Sequence, residues 1–483
     1  MKRLIVILFI VFGVFLTFSL YRTFAYDTSV VEETPSTTDL EYTFKIGNSS
    51  IKQITVDNGE TKYYDVVLGN PNPAKISYGV YYEMVSPSSK PDGFSIEYTS
   101  KSTGESTGKV DKEGNITLNL VVTNTSSSSV TVKLGTVAGY VNGGELTLSS
   151  GQEYIPEKVV TASEYVMSLD DGTTGDSGSG VYKVQHSAIP AESSATGEII
   201  PATDDYRYYG ASPNNYVCLD KNSDGTCEDK HLYRIIGSIY EENSKSNLLK
   251  VVKSTPLVDD NGVKDWSFDC KVSSTSTYAA APMSCNSSSN NYDASTINNL
   301  LNDVWWNGGE TLYYNDSGYG SLKYDISFNN TSLSLFAKSK IVNATFYLGD
   351  LVGNESDVNT IYIEEKSIID DETVKSYWSG KIGLLNPSDF GYSSGYSCIN
   401  RNVFNYNDTE CSSKSWLATS DGKLTLTPKK SNNLVIFLIG NYVGSYGGSS
   451  YDANSLAYPV FYLSKDTIIT GGTGSELDPY IIE

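Results

Sequence analysis

Polar and apolar residues alternate with a period of two through much of the chain between residues 41 and 155. Ile76, Tyr78, Val80 and Tyr82 take every second position, as do Ile116, Leu118, Leu120 and Val122, and again Val130, Val132 and Leu134. A strand with one buried face produces that period. The turn-forming stretches VDNGE, GNPNP, VDKEGN and TNTSSSS separate about seven such strands in roughly a hundred residues, the spacing of an immunoglobulin-like β-sandwich without its disulfide. No catalytic constellation falls in this region, so a spacer or an adhesive module fits it.

Ahead of the sandwich, Lys2 and Arg3 precede an unbroken apolar run from Leu4 to Leu20. Residues 1–25 therefore read as an N-terminal membrane segment, long for a signal-peptide core and near the short limit of a spanning helix. Cleavage after Ala25 gives a secreted product, and retention gives a signal anchor whose basic end stays in the cytoplasm. Either fate exports the rest of the chain. Behind the sandwich, residues 156–202 contain DDGTTGDSGSG and SAIPAESSATGE. Small, polar residues of this kind predict a flexible linker, with His186 solvated inside it.

Residues 203–483 show strand signals at both ends. LYRIIG and LLKVV flank a polar turn, and AYPVFYL and the terminal YII flank the glycine turn ITGGTG. Helix signals are few. In YDASTINNLLNDVWW, Ile297, Leu300, Leu301 and Val304 share one helical face, with Asp293 or Ser295 as cap. A second short helix is predicted around Leu333, Phe336 and Ala337, capped by the preceding Asn and Thr residues.

Five blocks of this region, DDYRYYGASPNNYVCLD, LYRIIGSIY, YWSGKIGLLNPSDFGY, SWLA and YPVFYLSKDTIITGGTGSELDPYIIE, carry a resemblance. Together they resemble an uncharacterised family of bacterial surface proteins with a C-terminal domain of unknown function, over most of residues 203–483. One departure is Tyr458, which stands where that family often has Arg before the Pro-Val pair. The resemblance implies an exported, compact, β-rich domain and supplies no activity. By looser analogy the block order is similar to C-type-lectin-like and formylglycine-generating-enzyme-like folds, in which early and late strands pair and long loops fill the middle.

Composition narrows the partners. With 57 acidic against 35 basic residues the formal charge is −22, which repels nucleic acid and anionic lipid. Tyr outnumbers Phe 37 to 15, as suits a β-rich protein with a wettable surface. All six cysteines lie beyond residue 217. An even number in an exported chain reads as disulfides, and the spacing offers Cys218 with Cys227, Cys270 with Cys285, and Cys398 with Cys411. Zinc is the rival reading, but there is no CxxC pair and His186 and His231 are the only histidines.

The stretch CLDKNSDGTC places Asp220, Asn222, Asp224 and Gly225 at the first, third, fifth and sixth positions of a calcium loop. Its twelfth position is His231 rather than a bidentate Glu, and a Cys218–Cys227 bridge needs α-carbons within about 7 Å. A disulfide-closed hairpin is therefore expected, with weak cation binding by Asp220, Asn222 and Asp224 as the alternative. No Ser-His-Asp or Cys-His arrangement has a well-placed histidine. Paired carboxylates of the glycosidase kind cannot be singled out among so many acids. Trp305, Trp306, Trp378 and Trp416 are candidate ligand contacts through stacking on sugars, with core packing as the competing role.

The expected fold is mainly β: an immunoglobulin-like β-sandwich at 41–155, a linker at 156–202, and a disulfide-stapled α+β, C-type-lectin-like domain at 203–483. The expected function is non-catalytic recognition or adhesion of an extracellular glycan or protein at the cell surface, without a cofactor or nucleic acid. The membrane is a partner through the N-terminal helix if that helix is uncleaved. A surface carbohydrate-active hydrolase with paired carboxylates, and a purely structural envelope protein, are the alternatives.

Overall fold

The computed structural model describes residues 40–46, 53–100, 107–141, 145–170, 172, 178–222, 226–267, 292, 295–316, 321–349, 351, 356–369, 375–420, 422–429, 432–445 and 454–483. The expected membrane segment at 1–25, Asp224 and the Cys270–Cys285 pair lie outside these residues. Among the described residues no helix is long and apolar enough to cross a membrane. The chain is mainly β and divides into two units, 1–159 and 160–483.

The first unit has ten strands among its described residues, in two sheets. One runs in the order Thr43–Ile46, Glu60–Gly69, Asn115–Asn124, Phe94–Ser100 and Glu157–Val159. Its last pairing is parallel and the others are antiparallel. The other runs Gln53–Val56, Val130–Tyr140, Ile76–Ser86 and Thr107–Val110, and Gln152–Tyr154 also pairs with Ile76–Ser86. The inward positions of the predicted alternation, Ile76, Tyr78, Val80 and Tyr82 with Leu118, Leu120, Val122, Val130, Val132 and Leu134, are buried in one apolar cluster drawn from both sheets.

Side-chain amides hold the turns of this unit. The Asn124 amide donates to the Val56 and Ser128 carbonyls, both at 2.9 Å, while its carbonyl accepts from the Ser126 amide at 3.0 Å. Asn70 donates to the Ala74 carbonyl at 2.8 Å and accepts from the Asn72 amide at 3.0 Å. Buried turn backbone thereby finds the partners that the sheets do not supply.

The second unit begins inside the segment that composition marks as linker, and that expectation is corrected. Thr161 caps the helix Ala162–Met167 in a capping box with Glu164. The strand Gly180–His186 pairs antiparallel with Thr203–Tyr209 over all seven residues. Tyr182, Val184 and His186 point inward and are buried, while Lys183 and Gln185 are exposed. A seven-residue strand set among glycine and serine residues is invisible to an average over composition.

Early and late strands of this unit share one eight-stranded sheet. Leu232–Glu241 lies at its centre, paired with Thr203–Tyr209, Tyr216–Cys218 and Ser246–Lys253. Val460–Tyr462 joins Ser246–Lys253, and Tyr480–Ile482 joins Tyr216–Cys218 in parallel. Residues between these ends form a second, five-stranded sheet, two strand pairs and short helices.

Both predicted helices are present, with shifts. Ser295 caps Thr296–Asn299, and the chain continues as a π-helix over Leu300–Trp305. The wider π turn brings Trp305 to the buried face with Ile297, Leu300 and Leu301, and leaves Val304 partly exposed. Helix Leu335–Lys340 is capped by Ser334 rather than by the preceding Asn or Thr.

Both expected disulfides that fall among the described residues are formed, Cys218–Cys227 and Cys398–Cys411, with α-carbons 5.9 and 5.8 Å apart. The first closes a tight hairpin in which the Asn222 amide donates to the Thr226 carbonyl at 2.9 Å and Lys221 bridges Cys227. Such bonds persist in an oxidising environment.

Candidate functional site

Conserving charge in an apolar core requires a partner for each ion, and the main sheet of the second unit meets that need in one node. Arg207 projects from Thr203–Tyr209 two residues after Asp205. Its Nη2 and Nε donate to Asp205 Oδ2 at 2.8 and 3.2 Å, and its Nη1 donates to Asp389 Oδ1 at 3.1 Å. Lys250, from the neighbouring Ser246–Lys253 strand, donates from Nζ to Asp389 Oδ2 at 2.7 Å. All four side chains are buried.

Asp389 is placed by local sequence. Pro387 begins the helix Pro387–Tyr392 with its φ preset, and Asp389 reaches back to accept from the Asn386 amide at 3.0 Å. The guanidinium of Arg207 lies 4.5 Å from the centre of the Tyr392 ring, a contact that stabilises a desolvated cation.

His186 extends the node, and the expectation of a solvated side chain is corrected. Its ring stacks on Tyr362 with centroids 3.8 Å apart and its Nε2 lies 3.0 Å from Asp205 Oδ2. Burial lowers the imidazole pKa, and the opposing pull of Asp205 does not overcome it. The neutral ring therefore donates from Nε2, because an ionised carboxylate only accepts.

Two further groups are shifted towards neutrality. Burial pushes the Glu365 carboxyl up to about 8, so it is protonated at pH 7. Its oxygens accept from the Ser388 amide at 2.9 Å and from the Ser388 hydroxyl. Burial also brings Lys366 down to about 8. That ammonium lies over the Tyr362 and Tyr347 rings, at 4.5 and 5.0 Å. For Asp205 and Asp389 burial acts upward, but Arg207 beside Asp205, and Lys250 and Arg207 beside Asp389, outweigh it and the net shift is down.

Glu365 and Asp389 are thus two buried carboxyls with opposite protonation, the division of labour that acid and base catalysis uses. Space decides against that use. The cavity they share with Arg207, Lys250, Lys366 and Tyr462 measures about 30 Å³, room for a few waters at roughly 10–15 Å³ each and not for a sugar ring.

The candidate tryptophans do not line this cavity. Trp305 is 0 % exposed and donates from Nε1 to the Thr331 carbonyl at 3.0 Å, so it is a core residue and not a ligand contact. Trp416, 8 % exposed, donates to the Tyr208 carbonyl at 3.1 Å and carries the Arg234 guanidinium 4.2 Å from its ring centre. Trp378 packs edge-on to Tyr292 and tilted against Phe346. Trp306 is partly exposed, with Lys381 Nζ 4.3 Å from its ring centre. Four indoles that could have formed a stacking platform are spread through the core and its margin.

Three of the five blocks that carry the sequence resemblance meet at the node: Asp205 and Arg207 from DDYRYY, Asp389 and Tyr392 from NPSDFGY, and Tyr462 from PVFYL, with Lys250 Nζ 5.9 Å from the Tyr462 ring centre. Sequence reasoning missed the node because no spacing rule links residues so distant. Asp205 and Arg207 within DDYR, two residues apart and so on one face of the strand, were the available signal. No family model matches the chain, and no curated protein is similar to it.

Proposed function

We propose that this is an exported cell-surface protein whose second unit is a non-catalytic recognition module for an extracellular ligand. The observation that carries the reading is the closure of the charged node: its ions neutralise one another around a cavity of about 30 Å³. Charges so arranged hold strands in register and leave recognition to the surface. The two disulfides favour an oxidising compartment, outside the cytoplasm. The reading includes the N-terminal membrane segment, as anchor or signal peptide. It also takes the first unit as immunoglobulin-like, on its paired sheets over one core. The second unit is taken as C-type-lectin-like, on its early and late strands sharing a sheet, within the family of surface proteins that its blocks resemble.

A surface hydrolase is the second reading, favoured by the opposite protonation of Glu365 and Asp389. The test is a screen of the full chain on glycan and surface-protein arrays, with hydrolase assays on the same glycans. Saturable binding without turnover is expected. Turnover abolished in Glu365→Gln, with the fold intact, transfers the case to the hydrolase, and silence in both assays to a structural envelope protein.

A further inference from the structure

Arg207 and Arg234 stand in paired strands of the same sheet, but only Arg207 has carboxylate partners. Arg234 lies opposite Tyr216 in the antiparallel register. Its guanidinium sits 4.6 Å from the Tyr216 ring centre and 4.2 Å from that of Trp416. Nε donates to Asn215 Oδ1 at 2.9 Å, Nη1 reaches the Trp416 carbonyl only at 3.5 Å, and Nη2 has no partner among the described residues. We propose that Arg234 anchors a carboxylate-binding site, and that its ligand is an acidic sugar of the uronic acid type within a glycan; the proposal rests on the recognition reading above.

The argument is one of unmatched charge. Partial burial pulls the Arg234 pKa down to about 10, so the group is still a cation at pH 7. A partly desolvated cation with no carboxylate in contact is costly, and two aromatic faces and the more distant charge of Glu476 offset only part of that cost. An incoming carboxylate supplies what is missing. It matches the planar fork of donors that remains free, in a geometry the stacked rings have already fixed.

The surroundings select the ligand class. Trp416 is too buried to offer a face to a neutral sugar, so charge rather than stacking must provide the anchor. The loop beside the site is tied to it by the bond from the Tyr216 amide to the Gly474 carbonyl, 2.8 Å. That loop carries exposed Thr473, and Asn214 is exposed on the adjoining turn. Hydroxyl and amide groups suit sugar hydroxyls. A protein partner needs an apolar interface core, and the same loop provides one large exposed apolar side chain, Leu477. Glu476, also exposed there, is the acid whose charge acts on Arg234, and it competes with a bound carboxylate.

The experiment uses the full chain on an array of uronic-acid oligosaccharides, their methyl esters, neutral counterparts and acidic peptides. Uronate oligosaccharides are expected to bind, and to lose about tenfold or more in affinity on esterification or in Arg234→Gln, the loss of one charge-assisted pair. Glu476→Gln, on an exposed loop, is expected to tighten the same binding severalfold. That variant decides the matter if Arg234→Gln does not fold. Equal binding of acids and esters, or no response to either substitution, overturns the site. Binding of acidic peptides alone overturns the sugar. Binding of neutral glycans alone leaves the recognition reading standing and ends this proposal, whereas binding of nothing ends both.

Discussion

Arg207 and Asp389 lie 182 residues apart in the chain and meet through a 3.1 Å bond between Nη1 and Oδ1 inside the second unit. Around that bond, Asp389 also neutralises Lys250, and Arg207 also neutralises Asp205. Removing one member strands the others without water, so Asp389→Asn is expected to cost about 3–5 kcal/mol. Urea or thermal unfolding checks this, and a loss under about 1 kcal/mol would show the node to be solvated.

Acid should act through the same carboxylates. Both have folded pKa values below their ordinary 3.8, so their contribution is fully present above that pH and is lost as pH falls through and below it. The wild-type chain is expected to lose stability steeply below about pH 4, and Asp389→Asn to lose less over the same interval.

Glu365 works in the opposite sense. Its folded pKa is about 8 against an ordinary 4.5, so between those values the unfolded chain has released a proton that the folded chain keeps. Stability contributed by this group is full below pH 4.5, falls as pH rises to 8, and is level above. Glu365→Gln stays neutral throughout and retains an acceptor for the Ser388 amide. The variant should therefore gain on the wild type steadily from pH 4.5 to 8, by midpoint urea concentration. A constant difference across that range would mean that Glu365 is ionised in the fold.

Much of the first unit was legible because its strands alternate strictly and its turns are marked by Asn, Gly and Pro. Val130, Val132 and Leu134 point to the core as the period requires. The second unit was less so. Two local signals in the supposed linker were overridden by the average over its Gly and Ser content: the Thr161 and Glu164 capping box, and the alternation of Tyr182, Val184 and His186. Val304, expected on the buried face, is partly exposed for a different reason. A π-helical turn shifts the buried face, and a 3.6-residue period cannot anticipate it. The node depends on tertiary pairing alone, which local pattern does not encode.

The Cys398–Cys411 bridge joins the helix Tyr396–Ile399 to Cys411–Lys414, just ahead of Ser415 and Trp416. Closing a loop of that size restricts the unfolded chain by about 3 kcal/mol. The double substitution Cys398→Ala and Cys411→Ala is expected to lower stability by up to that amount. If Trp416 is displaced as a result, the binding at Arg234 should weaken with it. Reductant on the wild type, which also opens Cys218–Cys227, should lower the melting temperature by at least as much as the double substitution does.

The unit boundary at 159/160 makes the last prediction, because the sequence alone placed the start of the second domain at 203. A chain starting at 203 lacks Gly180–His186, which pairs with all seven residues of Thr203–Tyr209, and lacks the helix Ala162–Met167. It exposes an edge strand that carries Asp205 and Arg207, removes the His186 donor to Asp205 and uncovers the face of Tyr362. An open edge beside a charged core invites aggregation rather than folding. A chain of residues 160–483 keeps every one of these contacts. In an oxidising host, 160–483 is expected to be soluble and to unfold cooperatively, and 203–483 to aggregate or melt without a transition. Equal cooperativity in the two would mean that residues 160–202 are dispensable, and would return them to the role of linker.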